Sequence, residues 1–322
     1  MAKRPFPVDP SLTAISIAYR NPASARIGTR ALPGVSVGSE TFKYNIFPID
    51  QAFNTGDAEV SRLGRVPQLT FNTEEEESSV KDYGYDTPIP QSDIDEAARQ
   101  RQMKRSRYDP RAAAVEGITD QLDNDREVRS ASIVQNPANY DAGRQVALVG
   151  TDKFSDFENS DPYGVIDEGF SSTLIYRPNQ ITMGRSVWDK LKRHPRLIKA
   201  IKGGLTEDGA ITKQQFADLF EINLENLLIG EAWINTARKG QQVNLERAWG
   251  NAISLRYIDV TKQAAVDSIM TWGFTAELGT RISGSIEDPD IGLEGGERVR
   301  VGERVRELVV AKSLGYLIRN PI

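Results

Sequence analysis

The sequence predicts an α+β chain with one long, one-sided helix, an extended β excursion before it and an α/β region after it. Three observations carry this. Val115, Ile118 and Leu122 fall at three- and four-residue spacing in a stretch bounded by Asp109-Pro110 and Asn136-Pro137. From about residue 172, short apolar runs alternate with capped amphipathic segments. The hydrophobic fraction is 39% over 322 residues, low for a chain of this length, so part of it is expected to pack against neighbours and not into its own core.

Residues 1–38 carry Lys3, Arg4, Arg20, Arg26 and Arg30 against the single acid Asp9, with five prolines. No helical period survives there, and the segment reads as an extended basic arm that cannot bury itself alone. Residues 39–90 hold two β-prone runs, Thr41–Phe47 and Val66–Phe71, expected to pair as a long two-stranded loop. The run Glu74-Glu75-Glu76-Glu77 after them reads as a solvated acidic face able to meet a basic neighbour.

A helix begins near Ser92, with Asp93, Asp95 and Glu96 in its first turns, and leads into the cations Arg99, Arg101, Lys104, Arg105 and Arg107. Asp109 as N-cap and Pro110 at the first helical position open the long helix, which should reach Gln135. At 1.5 Å per residue its roughly 25 residues span about 38 Å. Val128 and Ala131 are expected to continue its apolar stripe at looser register. Val146–Gly150 reads as a buried strand, and Ser160-Asp161-Pro162 opens a short helix through Ile166 and Phe170.

Gln180–Met183 reads as a buried strand, followed by a helix capped by Ser186, interrupted at Pro195 and stopped at Gly203-Gly204. Thr212 caps a further helix through Phe220. Strands are expected at Leu227–Gly230, Ala232–Ile234, Ala252–Tyr257, Met270–Phe274, Glu307–Ala311 and Leu314–Ile318, with residues 281–298 as a polar loop or mobile hairpin.

The chemistry-bearing residues are few. There is no cysteine, which removes disulfides and thiolate metal sites, and one histidine, His194, between Arg193 and Pro195, which reads as a surface residue without a nucleophile beside it. The acids Glu287, Asp288, Asp290 and Glu294 lack the spacing of a calcium loop, and no phosphate-binding glycine motif is present. No catalytic, cofactor-binding or metal-ligating residue is assigned and no cofactor is expected. The cluster Arg185, Lys190, Lys192, Arg193, Arg196, Lys199 and Lys202 reads as the solvated face of an amphipathic helix, or as a surface for phosphates or an acidic neighbour. Trp188, Trp233, Trp249 and Trp272 are expected in the core. The net charge of −5 does not fit a protein that condenses nucleic acid by itself. Neither a signal peptide nor a membrane-spanning run is evident, which leads to the expectation of a cytoplasmic product.

The stretch Arg177–Gly184, followed by Val187-Trp188, His194-Pro195, Ile211-Thr212, Leu227–Ala232, Asn235–Ala237 and Trp249-Gly250, and closed by Leu314–Asn320, resembles the major capsid proteins of tailed bacteriophages of the Hong Kong 97 type. The likeness rests on motif order over the C-terminal half and on element order upstream. It implies a Hong Kong 97-like capsid fold: an N-terminal arm (1–38), an extended β loop (39–90), a peripheral domain with the long helix as spine (91–171), an axial α/β domain (172–295) and C-terminal strands completing the peripheral domain (296–322). It further implies a structural protein and not an enzyme, assembling with itself into pentamers and hexamers of an icosahedral head around double-stranded DNA. Scaffold and portal proteins, with a decoration protein as a further candidate, would be its partners; the DNA would be touched non-specifically, no membrane is involved, and assembly would take place in the host cytoplasm.

Since the arm and loop reach across neighbours in that family, the expected intersubunit contacts are Arg20, Arg26, Arg30, Phe42, Tyr44, Phe47, Phe71, Glu75 and Glu76. Some members cross-link through a lysine and an asparagine; neither Lys43 nor Lys81 matches a reactive position, and no cross-link is expected. No helical scaffolding segment opens the sequence, so a separate scaffold is expected. Two other readings are an encapsulin-type compartment shell of the same fold and, from another class, a carboxylate-based metal-dependent hydrolase.

Overall fold

The computed structural model describes residues 21–46, 60, 74–173, 175–203, 208–238, 240–259 and 271–322; of Asn45, Ile46, Glu74 and Glu75 it describes the backbone. Helix α1 (Gly28–Ala31) and strand β1 (Gly34–Ser36) come first, then β2 (Thr41–Ile46), β3 (Glu74–Ser79) and β4 (Lys81–Pro90). Helices α2 (Gln91–Gln102) and α3 (Pro110–Val134) follow, then β5 (Gln145–Ala147) and α4 (Pro162–Ser171). The α/β stretch holds β6 (Gln180–Gly184), α5 (Arg185–Leu191), α6 (Pro195–Lys202), α7 (Lys213–Leu219), β7 (Leu227–Gly230), β8 (Trp233–Asn235), β9 (Leu245–Arg247) and β10 (Ala252–Arg256). The last strands are β11 (Gly273–Glu277), β12 (Ile282–Asp288), β13 (Gly296–Val309) and β14 (Gly315–Arg319).

Two sheets organise the chain. In the first, β11 and β12 lie end to end along one side of the long β13, β4 pairs along its other side, and β1 adds in parallel to β11. Helix α3 lies across β13 and β4. Its start is the expected one: the Asp109 carboxylate accepts from Arg111 N at 3.0 Å and Pro110 sits at the first turn. Ile118, Leu122, Arg126, Glu127, Ser130, Ala131 and Val134 form its buried face. Val128 is 37% exposed and lies outside that stripe, because the face is completed by polar side chains at 126, 127 and 130.

The second sheet has the order β5-β14-β10-β6-β7, with β6 and β7 parallel and β10 antiparallel to both β6 and β14. Strand β6 is buried at every residue, as expected for a strand covered on both faces. Helices α4 to α7 supply Ile166, Phe170, Trp188, Leu191, Leu197, Ile198 and Phe216 to its principal core. Ser186 does not cap the helix expected after it: Gly184 is the N-cap, and the helix begins at Arg185, two residues earlier than a Ser186 cap would place it. Pro195 starts a separate helix with His194 as its N-cap, and Gly203 ends that helix at φ +68°. Thr212 forms the reciprocal capping box with Gln215 on α7.

Several expectations change. Residues 25–37 are built into the fold: Ile27, Ala31 and Leu32 join the core with Trp249 and Trp272, and Val35 and Val37 join Phe42 and Phe274. Their apolar side chains follow an irregular path, so no period announces them. The strand opposite Thr41–Ile46 is the glutamate run itself, with Tyr44 opposite Glu76; the expected partner Val66–Phe71 lies outside the described residues. Val146–Gly150 yields a three-residue edge strand, with Val149 exposed. Residues 281–298 form most of an ordered hairpin, β12 against β13. Not all C-terminal strands complete the sheet beneath α3: β13 does, whereas β14 sits inside the second sheet between β5 and β10.

Candidate subunit interface

The surfaces that could meet neighbouring copies are set by a buried junction between the two sheets. Glu127 of α3 is almost fully buried and accepts four contacts from three donors: Ile27 N at 2.8 and 3.0 Å, Gly28 N at 2.6 Å and the Trp249 indole N–H at 2.5 Å. Burial pushes its carboxyl above the ordinary range, and these donors pull it back. At the other end of α1, Arg256 of β10 donates to Ala31 O at 2.9 Å and to Gln180 Oε1 at 2.7 Å. It lies over the Trp272 ring at 5.0 Å, and burial pulls its guanidinium down to about 10. A buried anion thus sits at the N-terminus of α1 and a buried cation at its C-terminus, the arrangement a helix dipole favours. The segment 21–37 is thereby pinned to α3, to the second sheet and, through β1, to β11.

A second network fixes α3 on β13. Arg126 pairs with Glu277 at 2.5 Å, Arg129 with Glu307 at 2.9 Å and Glu303 at 3.4 Å, and Arg281 bridges Glu303 at 2.7 Å and Asp123 at 2.8 Å. Arg129 also lies 3.8 Å over the Tyr83 ring. These pairs are mostly shielded from solvent, so salt screens them less than surface pairs.

The predicted contact residues divide. Arg26 turns inward and pairs with Asp120 at 2.5 Å and Asp123 at 3.5 Å of α3. Arg30 donates to Glu225 O at 2.5 Å. Phe42, Tyr44 and Glu76 come together in the β2–β3 ribbon: both rings are buried, and the Tyr44 hydroxyl donates to Glu76 at 2.5 Å. Burial and Glu76 push that hydroxyl up to about 12. Glu75 pairs through its backbone with Asn45. Arg20, Phe47 and Phe71 lie outside the described residues.

His194 is not a surface residue: it is 0% exposed. Its Nδ1 accepts from Arg196 N at 3.3 Å, and its Nε2 lies 2.9 Å from Ser160 Oγ. The Ser160 hydroxyl donates to Asp156 O at 2.5 Å, so the proton between serine and histidine belongs to Nε2. That polarity is opposite to an activated serine, whose hydroxyl donates to the imidazole. The basic cluster around it is partly neutralised, with Arg185 paired to Glu231 at 2.6 Å and Lys192 to Asp189 at 2.6 Å. Asp288 pairs with Arg298, and among the described residues no group of three acids or histidines could hold a metal. No helix among them is long and apolar enough to cross a membrane.

Sequence reasoning missed two exposed apolar surfaces. Trp233 is 46% exposed, with Arg247 4.3 Å over its ring, and Val243 and Leu245 join it on the short β8–β9 ribbon. Trp188, Trp249 and Trp272 are buried as expected. Ile282, Ile286 and Leu293 are exposed on β12 and the turn after it. The alternation Ile282-Ser283-Gly284-Ser285-Ile286 was the available signal for a strand with an uncovered face.

No protein-family model matches the chain. It is 41% identical over 322 residues, all of its own length and 99% of the relative's, to the major capsid protein of Pseudomonas phage JBD67. Among solved structures it superposes on a phage-related protein of Bordetella bronchiseptica RB50 with a TM-score of 0.69 at 21% identity, covering 98% of this chain and 97% of that one. On the capsid of cyanophage P-SCSP1u it does so with a TM-score of 0.57 at 11% identity, covering 99% and 92%. The fold is that of Hong Kong 97-type capsids, and the chain belongs to the family of phage major capsid proteins.

Proposed function

We propose that the chain assembles with itself into the pentamers and hexamers of a closed icosahedral head that encloses double-stranded DNA. The observation that carries this is the full-length identity of 41% to a phage major capsid protein. Two physical features support it. The buried junction holds arm, spine helix and sheets in one frame, and that frame presents apolar surfaces which a lone subunit leaves in water. The sheet under α3 forms the peripheral unit, shared between residues 34–36, 81–134 and 273–309, and the sheet containing β6 and β10 forms the axial unit. The contacts to neighbours run through the residues before Asn21, Arg20 among them, and through the loop that carries Phe42, Tyr44, Phe47, Phe71, Glu75 and Glu76, whereas Arg26 and Arg30 are held within the subunit and fix the base of the arm.

The role is structural and not enzymatic; the histidine–serine pair latches a loop. Scaffold and portal proteins, and a decoration protein where one is used, bind the shell; packaged DNA is met non-specifically, and assembly takes place in the host cytoplasm. The encapsulin-type and hydrolase readings are not favoured by a full-length phage capsid relative. Mass spectrometry of nuclease-treated virions carrying this gene tests the proposal: this chain should be the most abundant protein, co-purifying with protected DNA. Heads in which it is absent or a trace component would overturn it.

A further inference from the structure

Two exposed turns carry complementary features that are left without partners among the described residues. The turn between β12 and β13, residues 289–295, bears the fully exposed Leu293. Around it stand the exposed acids Glu287, Asp290 and Glu294, none of which has an ion-pair partner among the described residues, whereas Asp288 is held by Arg298. The turn between α2 and α3 bears Met103, which is 60% exposed. Around it stand the exposed cations Lys104, Arg105 and Arg107, again without ion-pair partners among the described residues, although Arg99 and Arg101 close by are paired. Lys104 holds φ +54°, a conformation that residues other than glycine adopt at some cost.

The two turns do not meet in one chain. Gln91 N donates to Gly295 O, so α2 begins at the acidic turn, and its 12 residues carry the basic turn about 18 Å away. Each surface is an apolar side chain ringed by charges of one sign, so like turns repel and unlike turns attract. An apolar centre with a charged rim is the general anatomy of a protein interface.

We propose that the β12–β13 turn of one copy docks on the α2–α3 turn of a second copy, Leu293 against Met103, with Asp290 and Glu294 facing Lys104, Arg105 and Arg107. This rests on the shell reading. The contact is proposed as head-to-tail, each copy giving one surface to a second copy and receiving a third on the other, so it propagates around a ring; the same surfaces met twice across a two-fold axis would stop at a dimer.

The chain has no cysteine, which makes the test clean. Met103→Cys and Leu293→Cys are introduced together and singly, and particles are assembled with the phage's other head proteins and oxidised. The double variant should give a ladder of disulfide-linked species beyond the dimer, since the paired Cα atoms must come within about 7 Å; each single variant should give none. A charge-reversed turn, with Lys104→Glu, Arg105→Glu and Arg107→Glu, should fold by circular dichroism yet lose assembly, and adding Glu287→Lys, Asp290→Lys and Glu294→Lys should restore it. Particles without the ladder, normal assembly of the reversed turn, or no restoration by the compensating set overturns the contact. Should the wild-type chain itself form no particles in the same mixture, the shell reading falls, and this contact with it.

Discussion

The indole N–H of Trp249 donates to the carboxylate of Glu127 across 2.5 Å, joining the long helix α3 to the strand-bearing half of the chain. The same carboxylate receives Ile27 N and Gly28 N, so one side chain ties three parts of the sequence together. Glu127→Ala should cost about 3 kcal/mol, because it strands buried donors, and Trp249→Phe about 1–2 kcal/mol, because it removes one donor and keeps most of the volume. Urea unfolding of the purified subunit measures both. Costs below about 0.5 kcal/mol for either would deny the junction its structural weight.

Truncation separates the pinned segment from what precedes it. Removing residues 1–20 should leave the subunit folded, because Ile27, Ala31, Leu32 and Val35 stay in their cores. Removing 1–38 takes those side chains away and strips Glu127 of its two backbone donors and Arg256 of the Ala31 carbonyl, so the subunit should fail to fold or lose several kcal/mol. Circular dichroism melts of the two truncations provide the comparison.

Gly230 lies against Trp249 so closely that an added Cβ would overlap the indole. Gly230→Ala should destabilise by about 2–3 kcal/mol through overpacking, although its chemistry is the mildest available. A shift in the urea midpoint at unchanged slope would report it.

His194 is held below its ordinary value of 6.5, first by burial and then by the Arg196 charge, while Asp156 and Asp161 pull it upward. A lowered histidine contributes stability that is present above 6.5 and is lost as pH falls through the folded value. Protonation would set a second hydrogen on Nδ1 against the Arg196 N–H that it now accepts. Since there is one histidine, stability should decline on acidification below 6.5, and His194→Gln should flatten that limb of the profile. An imidazole that titrates at or above 6.5 would contradict the arrangement.

Much of the fold was legible because local signals agreed with tertiary ones. Asp109-Pro110 opens α3 by cap chemistry alone, and Thr212 with Gln215 does the same for α7. Where pairing decides, the sequence is silent. Four glutamates are poor strand formers, and β3 exists because Thr41–Ile46 offers a ladder beside it. Strand character in Leu314–Ile318 does not say which sheet receives it. The burial of His194 hides behind its basic flanks, since its partner Ser160 lies 34 residues upstream. Arg126 and Glu127 read as a solvated face until the segment that covers them is placed. The interface was the least legible part: exposure of Leu293, Met103 and Trp233 depends on what the rest of the chain leaves uncovered.

The central claim is that this chain builds a shell. Electron microscopy of the purified protein, expressed alone and together with the scaffold and portal proteins of its phage, tests that most directly. Capsomer rings or uniform hollow shells are expected in at least the supplemented sample. A protein that stays a folded monomer in both would contradict it.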